Sequence, residues 1–231
     1  PVPAWNNPPS DDYHPLWAWE KVERKGGDCE LSVDGVKPLN RNNPNFLAIK
    51  VKKPNAGVAN RGFDGICVDQ GAKYDFSFYA RHKEAPNAEF APVKVALENE
   101  DGEVYGSAVI DGITNDWRKY DAVIAAKQTG TARLVLTTAG TGTLCLDMVS
   151  LFPQDVFRDR ENGMRKDLAQ KLAELEPKFL RFPGGCVVHG NGLLNAYRWK
   201  DTIGDVAERR PNWNKWGYHQ TYGLGFYEYF Q

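Results

Sequence analysis

The sequence predicts a mainly-β protein, a jelly-roll β-sandwich followed by the opening of an α/β domain. Between Glu30 and Phe152, nine short runs alternate apolar and polar residues, which is the period of a half-buried strand. Joints rich in Asn, Pro, Gly and Asp separate these runs, and helical periodicity is poor throughout the region. At Pro153 the pattern changes to helix, then strand, then a glycine-rich turn.

Residues 1–15 form the first segment. Pro1, Pro3, Pro8, Pro9 and Pro15 forbid a helix there, so an extended lead-in is expected, tied down where Trp17 and Trp19 bury. The sandwich is expected over residues 16–152. Its strands are LSVDGV, FLAIKV, GICVD, YDFSFYAR, VKVALEN, VYGSAVI, KYDAVIAA, TARLVLTT and TLCLDMVSLF. The joints are NRNNPN, KKPNAG, KEAPNAE, NEDGE, TNDW and AGTGT. Many short strands at this spacing point to an antiparallel sandwich, and a domain of this length buries a sufficient core by itself.

Residues 153–231 form the third segment. A helix is predicted within residues 160–177, with Met164, Leu168, Leu172 and Leu175 on one face and Pro177 as its stop. KFLRF then reads as a strand covered on both sides. That order belongs to an α/β barrel or a doubly wound sheet. YGLGFYEYFQ reads as the start of a helix without a stop signal, which suggests that the α/β domain is incomplete.

Composition excludes several function classes. Of the 231 residues, 42% are hydrophobic and 26% charged, and the net charge is −1. No basic field exists to hold a nucleic acid backbone. No apolar run approaches the ~20 residues of a membrane span. Cys29, Cys67, Cys145 and Cys186 lack zinc-ligand spacing. Cys67 and Cys145 read as buried small apolar residues within strands. A Cys29–Cys67 bridge remains open in an oxidising compartment. No Ser-His-Asp set, phosphate loop, dinucleotide fingerprint or metal cluster is visible, and no cofactor is expected.

The sharpest motif is Arg181-Phe182-Pro183-Gly184-Gly185-Cys186. It follows a predicted strand, where barrel enzymes place binding groups. Gly184 and Gly185 permit a close backbone approach. Arg181 offers a bidentate fork to a carboxylate, in a ligand site or in an internal ion pair. His189 is a candidate polar contact, against the plainer reading of a surface histidine. Trp199, Trp213 and Trp216, with Tyr197, Tyr218 and Tyr222, make this the most aromatic part of the chain. Such rings stack on the C–H faces of sugars or fill cores. The core reading covers most of them, with Trp199 the exception. Asp147, on the last sandwich strand, either helps hold a calcium ion or takes the plainer role of capping a turn or pairing with Arg or Lys. Tyr105, Trp117 and Trp5 are candidates for a sugar platform if exposed, although Trp117 also suits a core. Glycoside hydrolysis needs two carboxyl groups about 5–5.5 Å apart in retaining enzymes and about 6.5–9.5 Å apart in inverting ones. Of Asp201, Asp205, Glu208 and Glu228, none sits at the end of a second barrel strand.

LDMVSLFP, NGMRKDLAQKLAELEPKFLRFPGGC, YRWKDTIG and ERRPNWNKWGYHQTYGLGFYEYFQ together resemble the α-L-arabinofuranosidases of glycoside hydrolase family 51, from about Leu146 to Gln231. GVANRGFDGI, YDFSFYAR and NDWRKY more softly resemble the galactose-binding-like jelly roll, of carbohydrate-binding-module type, that some members insert after the first barrel strand. The resemblance implies a (β/α)8 barrel and retaining hydrolysis of terminal α-L-arabinofuranosyl groups from arabinan, arabinoxylan or arabinogalactan, by two Glu residues beyond Gln231. It implies a fragment inactive alone, with a sandwich that binds polysaccharide or braces the barrel. Arg181, Gly184, Gly185, Cys186, His189 and Trp199 would be substrate-binding residues at the arabinose subsite, and His189 stands where many members carry Glu. The expected partners are arabinose-containing saccharides, the remainder of the barrel and, through KFLRF as an edge strand, a second copy of the chain. A periplasmic or extracellular location is expected.

Overall fold

Strand formation here follows side-chain alternation. Lys73–His82 places Tyr74, Phe76, Phe78 and Ala80 on one face, all buried. Val93–Glu98 does the same with Val93, Val95 and Leu97. Each such strand has one apolar face to bury and satisfies its backbone groups only by pairing, so the chain forms sheets that stack.

The computed structural model describes residues 16–84, 90–160, 163–217 and 219–230. The predicted lead-in over residues 1–15, Trp5 and Tyr218 lie outside them. The described residues fall into two compact units, 16–39 with 45–155, and 40–44 with 156–230.

The first unit is the sandwich. Its strands are β1 (Trp19–Glu23), β2 (Asp28–Asp34), β3 (Phe46–Lys53), β4 (Ala56–Asn60), β5 (Ile66–Val68), β6 (Lys73–His82), β7 (Val93–Glu98), β8 (Val104–Ile110), β9 (Arg118–Ala125), β10 (Gly130–Thr138) and β11 (Gly142–Pro153). One sheet has the order β1-β4-β10-β7-β8 with β5 also on β10, and the other β2-β3-β11-β6-β9. All pairs are antiparallel. The two sheets share one core, to which β3 contributes Leu47, Ile49 and Val51, β10 contributes Leu134 and Leu136, and β11 contributes Leu144 and Leu146. The Phe76 and Phe78 rings lie 5.1 Å apart within it, tilted by 41°. The fold is therefore the mainly-β jelly-roll sandwich that the alternation predicts.

All nine predicted runs are strands, but β1 and β4 were not among them. β4 reads AGVAN, too small and short to show alternation. Its value is close approach, because a Cβ on Gly57 would lie 2.0 Å from the Leu136 carbonyl oxygen of β10. Other differences concern burial. Trp17 is 73% exposed, against the expected anchor, while Trp19 packs half-buried at the core margin. Cys67 is exposed rather than buried, because it lies on the outward face of the three-residue β5. Cys145 is buried as expected, and all four thiols are free. Tyr105 is buried, which removes it as a platform. Trp117 joins neither the main core nor an open platform. It packs edge-on to Phe46 at 5.2 Å, with Arg81 against both rings, and its Nε1 donates to the Lys37 carbonyl at 2.7 Å.

The second unit carries α1 (Lys166–Glu174), α2 (Gly185–His189), the hairpin β12 (Asn212–Trp213) with β13 (His219–Gln220), and α3 (Phe226–Phe230). The helices predicted around Leu168 and Tyr227 are both present. The apolar face expected on α1 exists but is open, with Leu168, Leu172 and Leu175 at 56%, 57% and 74% exposure. KFLRF is not a strand. No strand pairs with residues 178–182 among those described, and without a ladder the segment stays irregular, with Phe179 and Leu180 exposed. Self-association through KFLRF as an edge strand accordingly has no strand to start from. No described helix is long and apolar enough to cross a membrane.

Phe78 is fully buried between the sheets. Phe78→Ala is expected to destabilise the sandwich by about 3–5 kcal/mol, read as a lower urea midpoint at unchanged slope.

Candidate functional site

In the glycine-rich motif, Phe182 turns inward and Arg181 outward. The Phe182 ring lies 4.1 Å from Tyr229, 5.3 Å from Phe226 and 5.8 Å from Tyr197. Phe226 in turn lies 6.2 Å from Trp199, and Tyr197 stands edge-on to Tyr222 at 5.3 Å. These rings form a floor beneath the motif. The Phe182–Pro183 peptide is cis, and Gly184 has φ 108°, a conformation that only glycine adopts without strain. Gly185 then opens α2.

Arg181 is exposed and makes no ion pair with a described residue, so the carboxylate partner read from the sequence is not formed here. Its Nη2 lies 3.5 Å from where a Cβ on Gly185 would stand, so the guanidinium lies beside the turn. Cys186 is exposed. His189 ends the single turn of α2 rather than lying in a loop. Its Nδ1 is 2.7 Å from the Gly190 carbonyl oxygen, which only accepts, so Nδ1 is the donor of this bond. Trp199 is half-exposed, with Lys200 Nζ 5.7 Å from its ring. The Tyr197 amide donates to the Val188 carbonyl at 3.0 Å, tying the stretch before Trp199 to α2. Arg181, Gly184, Gly185, Cys186 and His189 thus lie along one short stretch. Trp199 joins them through Phe226, which contacts both Trp199 and Phe182.

The sequence reading missed what holds this floor. Arg209 is buried and forms a bidentate pair with Glu228, Nη1 to Oε2 at 3.0 Å and Nη2 to Oε1 at 2.6 Å. The same guanidinium donates to the carbonyls of Gly204 and Tyr222 at 2.8 and 2.6 Å. Glu228 also accepts the Gly225 amide at 2.8 Å. Burial works against the Glu228 charge, but the Arg209 fork and the Gly225 amide outweigh it and hold the carboxyl below its usual range. Glu228 is therefore engaged in structure, and Asp205 caps the 3-10 turn Val206–Glu208 through the Ala207 amide at 2.8 Å. Aromatic density signalled the floor. Nothing in the spacing of Arg209 and Glu228 signalled their pairing.

Asp147 sits at the β11 bulge, where Met148 has φ 48°. Its Oδ1 accepts the Met148 amide at 2.8 Å, while Oδ2 is buried without a partner. The turn cap read from the sequence is thus formed by Asp147. Desolvation pushes its pKa up to about 6.

A family model described as a carbohydrate binding domain matches residues 12–143, more than half of the chain. The chain belongs to that family. The model of an Alpha-L-arabinofuranosidase 1 domain matches residues 171–231, which hold the glycine-rich motif and its aromatic floor. An extracellular exo-alpha-L-arabinofuranosidase of Streptomyces chartreusis is 40% identical over 95% of this carbohydrate-binding-family chain and 26% of its own length. Alpha-L-arabinofuranosidase 1 of Arabidopsis thaliana is 37% identical over 76% of the chain and 26% of its own length. A solved arabinose-bound α-L-arabinofuranosidase of glycoside hydrolase family 51 superposes with a TM-score of 0.82 at 30% identity, over 93% of this chain and 35% of that one. The chain is thus homologous to family 51 arabinofuranosidases along nearly all of its length, and spans about a quarter to a third of theirs.

Two outcomes are expected. Arg209→Ala leaves Glu228 buried and unpaired, which costs about 3–5 kcal/mol. Hydrogen exchange should show residues 197–230 deprotected while the strands of the sandwich stay protected. For Asp147, a folded-state pKa of about 6 lies above the unfolded ~3.9, so its neutral form costs nothing below pH ~4 and stability is lost as pH rises through 6. Asp147→Asn is expected to gain on the wild type between pH 4 and 7, by up to about 3 kcal/mol, in paired urea titrations.

Proposed function

We propose that the chain is part of a retaining α-L-arabinofuranosidase that removes terminal α-L-arabinofuranosyl residues from hemicellulose or pectin side chains, and that Arg181 to His189 with Trp199 forms part of the rim of its arabinose subsite. One observation carries the reading: Arg181, Cys186, His189 and half of Trp199 are presented to solvent from an aromatic floor, within the segment that matches the arabinofuranosidase domain. The chemistry suits a small sugar. Arg181 brings a fork of N–H donors to ring or hydroxyl oxygens, His189 offers its second ring nitrogen to a hydroxyl, and the open Trp199 face meets the C–H side of a furanose. Gly184 and Gly185 let the sugar approach the backbone.

Of the carboxylates in this unit, Glu228 is bound to Arg209 and Asp205 to its cap. On the resemblance to the family, the acid/base and nucleophile pair is assigned to parts of the whole enzyme beyond these residues. The remainder of its barrel is the natural cover for the exposed Leu168, Leu172, Phe179 and Leu180. The extracellular relative supports a periplasmic or extracellular location.

The test is hydrolysis of 4-nitrophenyl α-L-arabinofuranoside. The whole enzyme is expected to release arabinose, and the 231-residue chain alone is expected to release none. Within the whole enzyme, Arg181→Ala should lower kcat/KM about tenfold or more, the worth of one charge-assisted hydrogen bond. An unchanged kcat/KM in Arg181→Ala and His189→Ala alike would remove these residues from the subsite.

A further inference from the structure

The sandwich presents two aromatic rings to water that do nothing for its core. Phe63 is 93% exposed and Trp17 is 73% exposed. They lie past the same end of the same strand pair. The β1–β4 ladder ends at Trp19 opposite Asn60, with Trp17 two residues before and Phe63 three residues after. Both are held out by construction. The Asn60 side chain accepts the Gly62 amide at 2.8 Å, and Gly62, Asp64 and Gly65 have φ of 65°, 56° and 93° around Phe63. A Cβ on Gly65 would lie 2.2 Å from Thr131 Cγ2, so the loop is seated tightly on β10. The Trp17 turn is closed by the Trp19 amide on the Leu16 carbonyl at 2.8 Å, and Leu16 packs on the core.

We propose that Trp17 and Phe63 form a carbohydrate contact on the sandwich, which takes an uncharged polysaccharide chain across the two rings. Charge and area choose the occupant. Arg61, the cation beside Phe63 in the 61–65 loop, is already paired with Glu20, so among the described residues that loop offers no free positive charge to draw a phosphate or sulfate polymer. Asp64 remains as an acceptor for sugar hydroxyls. Two aromatic side chains of ~150–250 Å² each fall well short of the ~800 Å² per partner of a stable protein interface. That area does suit two or three sugar rings. Tyr105 is buried and Trp117 is covered, so neither competes for the role.

The contact rests on reading the parent as a polysaccharide-acting enzyme, but it is tested apart from hydrolysis. The 231-residue chain is titrated calorimetrically with soluble arabinoxylan, linear arabinan and xylohexaose, alongside Phe63→Ala and the double variant with Trp17→Ala. Because both rings are exposed, melting of the variants should match the wild type. Saturable binding to at least one probe is expected, weakened tenfold or more in the double variant. Equal binding in both proteins, binding to none of the three, or concentration-dependent dimerisation that the double variant abolishes would each overturn the proposal. Hydrolysis of the small aryl substrate by the whole enzyme needs no polymer contact, so its loss would refute the arabinofuranosidase reading and leave this one standing or falling on the titration.

Discussion

The constraint that governs this chain is that a strand is a shared object. A buried extended segment carries an amide and a carbonyl per residue that only a neighbouring strand satisfies. In the sandwich every strand has a partner, and β3, β4, β6, β7, β10 and β11 are paired on both sides. That pairing permits Phe76, Phe78 and Ile124 to be fully buried without leaving orphan backbone groups beneath them. The same rule explains the second unit in the negative. Residues 178–182 have the apolar composition of an inner strand but no described partner, and they do not become one.

The legibility of the sequence follows from this rule. Where a strand has one buried face, alternation reports it, and β6 and β10 can be read residue by residue. β4 is hidden because its role is proximity. Gly57 is there to let two backbones approach, and an Ala-Gly-Val-Ala run has no large side chains to alternate. Trp17 and Cys67 show the limit of residue type as a guide. A tryptophan placed in a tight turn beyond a ladder, or a cysteine on a three-residue strand, faces water whatever its usual preference. Of the site, the RFPGGC motif and the wealth of rings were visible. The inward turn of Phe182 and the Arg209–Glu228 pair were not, since both depend on irregular backbone that brings distant residues together.

The two units use aromatic residues in opposite ways. In the second unit they stack on each other, so that Phe182, Phe226 and Tyr229 replace the regular elements that are scarce there. The buried Arg209 then does for loops what a ladder does for strands, gathering carbonyls from Gly204 and Tyr222 around one guanidinium. In the sandwich the core is mostly aliphatic, and rings are free to lie on the outside.

The four thiols divide by access. Burial pushes Cys29 and Cys145 up in pKa, and the Cys29 Sγ is further engaged with the Gly57 carbonyl at 3.3 Å. Neither offers a ready thiolate to a maleimide. Cys67 and Cys186 are open, one on each compact unit. The chain thus comes with its own donor and acceptor positions for fluorescence energy transfer, and the separation of its two units in solution can be followed without introducing a single cysteine.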